Sequence, residues 1–199
     1  MNKIEFISGK CIPLEMNDVD TDLIIPAQYC ASISKTGYGL NLFRRLRDQS
    51  KDFVFNQIKY ENSNILISQK NFGCGSSREA AVWALKEYGI NVVIANSFAD
   101  IFSGNCLKNK ILLITLELNI IYKLIEDSKN HSLTLKIDLI NNTIRTSLNE
   151  IIQIKISDFQ KSFFINDFNE IDFLLSYKEK VLSFKNYQLS NKILPILNQ

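Results

Sequence analysis

Residues 64–95 read NILISQKNFGCGSSREAAVWALKEYGINVVIA. The stretch opens on a short apolar run at 64–69, the pattern of a buried strand. A glycine-bearing turn follows at 70–75. Residues 76–88 have helical spacing, with Ala80, Ala81, Trp83, Ala84 and Leu85 at apolar positions. Gly89 stands where a helix C-cap glycine belongs. A second apolar run at 90–95 predicts another strand. Strand, helix and strand with short joints form a βαβ unit, so the two strands are expected to be parallel.

The pattern continues on the C-terminal side. Residues 99–107 predict a short helix and 110–116 a further strand. Apolar pairs at Ile120/Ile121 and Leu124/Ile125 give helical spacing over 117–129. Residues 133–139 alternate like a half-buried strand, Asn141-Asn142 is a turn signal, and 143–148 pair back as a hairpin partner. Residues 151–156 alternate again, and 168–184 carry a helical pattern through Ile171, Leu174, Leu175, Val181 and Leu182. With three prolines, no linker and no internal repeat, residues 1–199 are expected to form a single α/β domain. A parallel central sheet gains an antiparallel layer in the second half, and 186–199 are expected to form a loosely held tail.

Composition excludes several classes. The 199 residues carry 23 basic and 21 acidic side chains, a net charge of +2 with no basic arm, so no nucleic-acid partner is expected. No run approaches the ~18–20 apolar residues of a membrane span, and the N-terminus has no signal-peptide core. Cys11, Cys30, Cys74 and Cys106 are widely spaced with no C-x-x-C pair. That points to reduced thiols in a cytoplasmic protein, and neither a metal site nor an iron–sulfur cluster is expected from this chain alone.

The chemistry-bearing residues fall in three stretches. In the first, Gly73, Cys74, Gly75, Ser76, Ser77, Arg78 and Glu79 sit at the strand-to-helix junction. Ser76 and Glu79 fit the S-x-x-E capping box. A cap leaves Arg78 unexplained, because a cation in the first turn of a helix is disfavoured by ~0.3–1 kcal/mol. Glycines that let the backbone approach closely, free amides at the helix start, the Ser77 hydroxyl and the Arg78 fork would together hold an anion. Neither a nucleotide P-loop nor G-x-G-x-x-G is present, so a small carboxylate is favoured over a nucleotide. Cys74 reads either as an activated thiolate or as a packing residue. His131, the single histidine, lies in a polar stretch expected at the surface.

The second stretch is NDVDTDLIIP at 17–26. It is not a calcium loop, since Leu23 and Tyr29 stand where that loop needs a glycine and a bidentate glutamate. It reads as a solvated acidic turn, or as carboxylates at a core boundary that need a cation such as Arg78 or a partner subunit. The third is 30–43, a glycine-bearing loop with Ile33, Tyr38 and Leu40 and one charge, Lys35. It reads as a surface loop or as a lid offering apolar contacts to a substrate.

These stretches in this order, DVDTDLIIP, KTGYGLNLF, NFGCGSSRE and VVIANSFADIF, resemble the small subunits of 3-isopropylmalate dehydratase, in the aconitase superfamily. The resemblance runs over roughly 5–175 and includes FVFNQ at 53–57. It implies a swivelling β/β/α three-layer domain. It also implies a separate large subunit that carries a [4Fe–4S] cluster, with one open iron position serving as Lewis acid. The implied reaction interconverts 2- and 3-isopropylmalate, dicarboxylates, through isopropylmaleate. On this resemblance Ser76 is the base, and Ser77, Arg78 and Gly75 bind substrate carboxylate. Asp22 and Asp20 stand behind them. The loop that sets specificity carries Ile33, Lys35, Thr36, Tyr38 and Leu40. A homoaconitase-like or methylmalate/citraconate subunit has the same scaffold, and a carboxylate-binding module without catalysis is the reading from another class. The family commonly has histidine after GSSRE, where this chain has Ala80.

Overall fold

In the computed structural model, residues 4–30 and 36–191 are described. Seven strands form one mixed sheet in the order β4-β3-β2-β1-β5-β6-β7. Its parallel half is β1 (Phe6–Pro13), β2 (Ile65–Ile67), β3 (Val92–Ala95) and β4 (Leu112–Thr115). The antiparallel half is β5 (Thr134–Asp138), β6 (Thr143–Thr146) and β7 (Ile151–Gln153).

β1 joins the halves. Its residues Cys11, Ile12 and Pro13 lie parallel to Ile65, Leu66 and Ile67. Its earlier residues, Phe6 to Lys10, pair antiparallel with Asp138 back to Thr134. The expected antiparallel layer is therefore continuous with the parallel sheet.

Eight helices accompany the strands among the described residues: α1 (Thr21–Ile24), α2 (Arg44–Gln49), α3 (Glu79–Tyr88), α4 (Asp100–Lys108), α5 (Leu118–Asn130), α6 (Asp158–Ile165), α7 (Glu170–Ser176) and α8 (Lys178–Ser190). Strand side chains alternate between faces. Leu66 and Val93 join Ala81, Val82, Ala84 and Leu85 of α3 and Phe102 and Cys106 of α4 in one core. Ile65, Ile67, Val92 and Ile94 join Ile121, Leu124 and Ile125 of α5 and Phe163 and Phe164 in the other. Every residue of β2 and β3 is buried, as expected of parallel strands covered on both faces.

The βαβ reading and the four strands after it fall within a few residues of their predicted places. Three differences stand out. The helical pattern at 168–184 divides into α7 and α8, broken at Tyr177. Residues 186–190, expected in a loose tail, are the last turns of α8, while 192–199 lie outside the described residues. The helix predicted from Ser76 begins at Glu79.

Candidate active site

The site is built on the loop between β2 and α3. One side is fixed by the acidic turn: the Gly73 amide donates to the Val19 carbonyl at 2.7 Å, and the Thr21 amide donates to the Cys74 carbonyl at 2.9 Å. The buried Thr21 hydroxyl donates to the Ser76 carbonyl at 2.9 Å. On the other side the Phe72 amide donates to the Ser97 carbonyl, and the Ala99 amide donates back to Phe72. Gly73 has φ +78°, and a Cβ there would lie 2.2 Å from Phe102 Cγ. Gly75 also has positive φ, +87°. No side chain beyond glycine suits a loop that turns this way while pressed against a buried ring.

Arg78 is the N-cap of α3 in extended conformation, and no side chain caps the helix. The expected capping box is therefore absent. The reason lies in competing partners. The Glu79 carboxylate accepts from Trp83 Nε1 at 3.3 Å and from Asn109 Nδ2 at 3.1 Å. The Ser76 carbonyl is held by Thr21, which keeps that residue out of the helix. Ser76 and Ser77 are exposed, and among the described residues their hydroxyls and the amides of Gly75, Ser76 and Ser77 have no hydrogen-bond partner.

The compensation for a cation at a helix start is Asp22. Arg78 Nη1 donates to Asp22 Oδ1 at 2.5 Å. Arg45 Nη2 donates to the other oxygen at 3.1 Å, and the Ala27 amide to Oδ1 at 3.2 Å. The Arg78 hydrogen bond, against a smaller opposing effect of burial and aided by Ala27 and Arg45, holds the Asp22 carboxyl below its usual range. Asp20 serves locally: its carboxylate caps α1 by accepting from the Leu23 amide at 2.6 Å. Its backbone bridges to Cys74.

A cavity of about 270 Å³ opens at this junction. Gly75, Ser76, Ser77, Arg78 and Thr21 line one wall, and Asp100, Ile101 and Asn105 of α4 belong to the other. The cavity lies where the loops leave β2 and β3, and the starts of α3 and α4 both face it. Ligands bind at that end of parallel strands in open α/β sheets. Free amides, hydroxyls and a guanidinium beside a helix start suit a small carboxylate.

Other expected residues fall elsewhere. Cys74 is half-buried, and burial, then Asp20 and Asp18, push its thiol up, which favours packing over an activated thiolate. Tyr38, expected to face a substrate, is buried against Trp83 with ring centroids 5.5 Å apart. Its ring is drawn inward because the Gly37 and Gly39 amides on either side donate to the Glu87 carboxylate at 2.6 and 2.8 Å, fastening the loop to α3. Leu40 is 77% exposed, Thr36 is exposed, and neither lines the cavity. Ile33 and Lys35 lie outside the described residues. His131 is exposed at the end of α5.

Sequence reasoning missed Arg45, Thr21 and the α4 wall. Arg45 sits in the run RRLRD, which resembles an ordinary solvated helix face. The α4 wall was accessible in principle, because a helix that follows the next parallel strand begins at the same end of the sheet.

Residues 1–119 match the Aconitase C-terminal domain family. The match spans β1 through β4, and with them every wall of the cavity. The chain is 41% identical over 199 residues to the 3-isopropylmalate dehydratase small subunit of Karelsulcia muelleri, covering 96% of this chain and all of that one (100%). It is 38% identical over 188 residues to that of Francisella tularensis subsp. novicida, covering 94% and 99%. The chain belongs to the 3-isopropylmalate dehydratase small-subunit family. The same family name is carried by a Rhodospirillum rubrum protein, 40% identical, with 98% of each chain covered. The fold agrees with the crystal structure of 3-isopropylmalate dehydratase from Methanocaldococcus jannaschii. That comparison gives a TM-score of 0.64 and 27% identity over 91% of this chain and 99% of that one. The seven-stranded sheet is thus the swivelling-type α/β domain of the aconitase superfamily.

Among the described residues no group of three or more His, Cys, Asp or Glu could hold a metal ion. Cys11 and Cys106 are buried, and burial pushes both thiols up, which opposes thiolate ligation. These residues do not form a cradle for a cluster. Among the described residues no helix is long and apolar enough to cross a membrane.

Proposed function

We propose that this chain is the substrate-binding small subunit of a cytoplasmic 3-isopropylmalate dehydratase in leucine biosynthesis. It acts with a large subunit that carries the [4Fe–4S] cluster and supplies its Lewis-acid chemistry. The enzyme interconverts 2- and 3-isopropylmalate by loss and return of water through isopropylmaleate. The family membership supports this reading, and one observation carries it at the site. Arg78, tied to Asp22, lines the same cavity as Ser76 and Ser77, whose hydroxyls have no partner among the described residues.

The work of this chain follows from those groups. Arg78 takes a substrate carboxylate in two parallel hydrogen bonds, and Asp22 and Arg45 fix where its guanidinium sits. Gly75 and Ser77 add amide donors and a hydroxyl to the same anion. Ser76 removes the proton from one carbon as the neighbouring carbon loses its hydroxyl, and it later delivers a proton to that neighbouring carbon as water returns to the first. A serine hydroxyl is a poor base at neutral pH. It serves here because any charge on its oxygen develops next to free amides, a helix start and the Arg78 cation. The partner subunit closes the exposed side, so the proton moves in a site shielded from water.

The test is reconstitution. The purified chain is mixed with a cluster-bearing large subunit, and turnover of 2-isopropylmalate, 3-isopropylmalate, citraconate and homoaconitate is measured. Turnover of isopropylmalate alone is expected. Preference for one of the other acids would move the chain to a sister subunit. Ligand binding without turnover, with the cluster intact, would leave only a carboxylate-binding module.

A further inference from the structure

The cavity has a second wall that the proposed mechanism leaves unused. Among its described lining residues, Arg78 is the single cation and Asp100 the single anion. Arg78 already shares its charge with Asp22. A dicarboxylate seated here meets one guanidinium among the described residues, and a neutral donor on the facing wall can take a further oxygen. Asn105, one turn into α4, is the amide side chain on that wall.

Its backbone and its side chain differ in a telling way. The Asn105 carbonyl accepts from the Asn109 amide at 3.1 Å and from Asn109 Nδ2 at 2.9 Å. The same Asn109 Nδ2 donates to Glu79 Oε1 at 3.1 Å, and Glu79 directly follows Arg78. The turn that carries Asn105 is therefore pinned to the start of α3. The Asn105 side chain is half-buried, and its amide has no hydrogen-bond partner among the described residues. A half-buried polar side chain that lines a cavity from a fixed backbone is preorganised for a ligand.

We infer that Asn105 is a further substrate-binding residue, donating its side-chain amide to a substrate oxygen across the cavity from Arg78. The inference rests on the proposed dehydratase activity. Asn105 holds the acid between two walls, so that the carbon to be deprotonated faces Ser76. A neutral donor suits this place. A second cation would compete with Arg78 for the same carboxylate and pair with Asp100.

The experiment uses the reconstituted two-subunit enzyme with isopropylmalate as substrate. Asn105→Ala is expected to raise KM about tenfold, the usual weight of a hydrogen bond to a charged group, with kcat within roughly threefold. Asn105→Asp keeps the shape but turns a carboxylate toward the substrate's own, so KM is expected to rise further, on the order of a hundredfold. Thermal midpoints of both variants should stay within a few degrees of the parent, because the side chain has no hydrogen-bond partner among the described residues. A KM for Asn105→Asp within twofold of the parent overturns the inference. So does a pattern in which Asn105→Ala is the worse variant and both lose thermal stability. If the parent complex turns over no isopropylmalate, the proposed function fails by itself. The inference is then read from equilibrium binding of whichever acid the complex does turn over: a tenfold or greater loss in Asn105→Asp supports it, and equal affinity overturns it.

Discussion

Asp22 reaches the Arg78 guanidinium at 2.5 Å, and Arg78 lines the cavity from that anchored position. The pair resolves a local conflict. A cation at the start of α3 opposes the helix dipole, and a carboxylate four residues before Pro26 sits at the edge of the core. Each supplies what the other lacks. The bond also restricts where the guanidinium can point, which matters more for binding a substrate than for holding the fold.

Asp22→Asn is accordingly expected to lower kcat/KM of the reconstituted enzyme by about 10- to 100-fold. Its effect on stability should be small, below about 1 kcal/mol at neutral pH, because both side chains are partly exposed. The acid limb fixes the sign. The folded carboxyl titrates below its ordinary value of 3.8, so its contribution is fully present above that value. It is lost as pH falls through the lower folded value. Urea unfolding of parent and variant at stepped pH should show a difference that disappears at the acid end.

Ser76→Ala separates chemistry from architecture. The hydroxyl has no partner among the described residues, and it is the Ser76 carbonyl that Thr21 holds. Unfolding free energy should therefore change by less than about 0.5 kcal/mol, and binding to the large subunit should persist. Turnover should fall roughly 10²- to 10⁴-fold, the range for loss of a positioned base. Single-turnover kinetics on the assembled variant is the measurement. Activity near that of the parent would remove Ser76 from the proposed role.

Gly73→Ala tests the loop that carries the site. Alanine would have to adopt φ +78°, and its methyl group would lie only 2.2 Å from Cγ of the buried Phe102 ring. Strained backbone and overpacking together predict a loss of roughly 3 kcal/mol or more. Denaturant unfolding of the isolated chain checks this. The double variant Gly73→Ala/Phe102→Ala should be destabilised by less than the sum of the two single variants, since removing the ring relieves the clash but not the backbone strain.

The parallel half of the fold was legible because its strands are buried on both faces and so read as plain apolar runs. β1 was not. FISGKCIP carries Gly9, Lys10 and a terminal proline, and its two halves answer to different neighbours, so no single period marks it. At the site, Ser76, Ser77, Arg78 and Asp22 could be named from their residue types. The geometry between them could not. The S-x-x-E spacing promises a cap, yet Glu79 is taken by Trp83 and Asn109, residues distant from it by one helical turn and by a whole βα unit. Tyr38 in a glycine-rich loop reads as an exposed lid residue. Its burial depends on Glu87, which nothing near residue 38 in the chain announces.

That latch gives the last prediction. Glu87 accepts from the amides of Gly37 and Gly39, which hold its carboxyl below the ordinary value of 4.5. Gly37 lies at φ +90°, a conformation the carboxylate helps to keep. Glu87→Ala should therefore speed hydrogen exchange at Gly37 and Gly39 by at least about tenfold, while β2 and β3 exchange as before. The sign with pH follows from the lowered value: the latch is closed above the ordinary glutamate range and opens as pH falls through the folded value. Release of its two glycine neighbours is expected to loosen the contact of Tyr38 with Trp83. Trp83 fluorescence of the parent should therefore change over the same acid range, and the Glu87→Ala variant should show no such step. A fluorescence titration of both proteins between neutral pH and about pH 3 decides it.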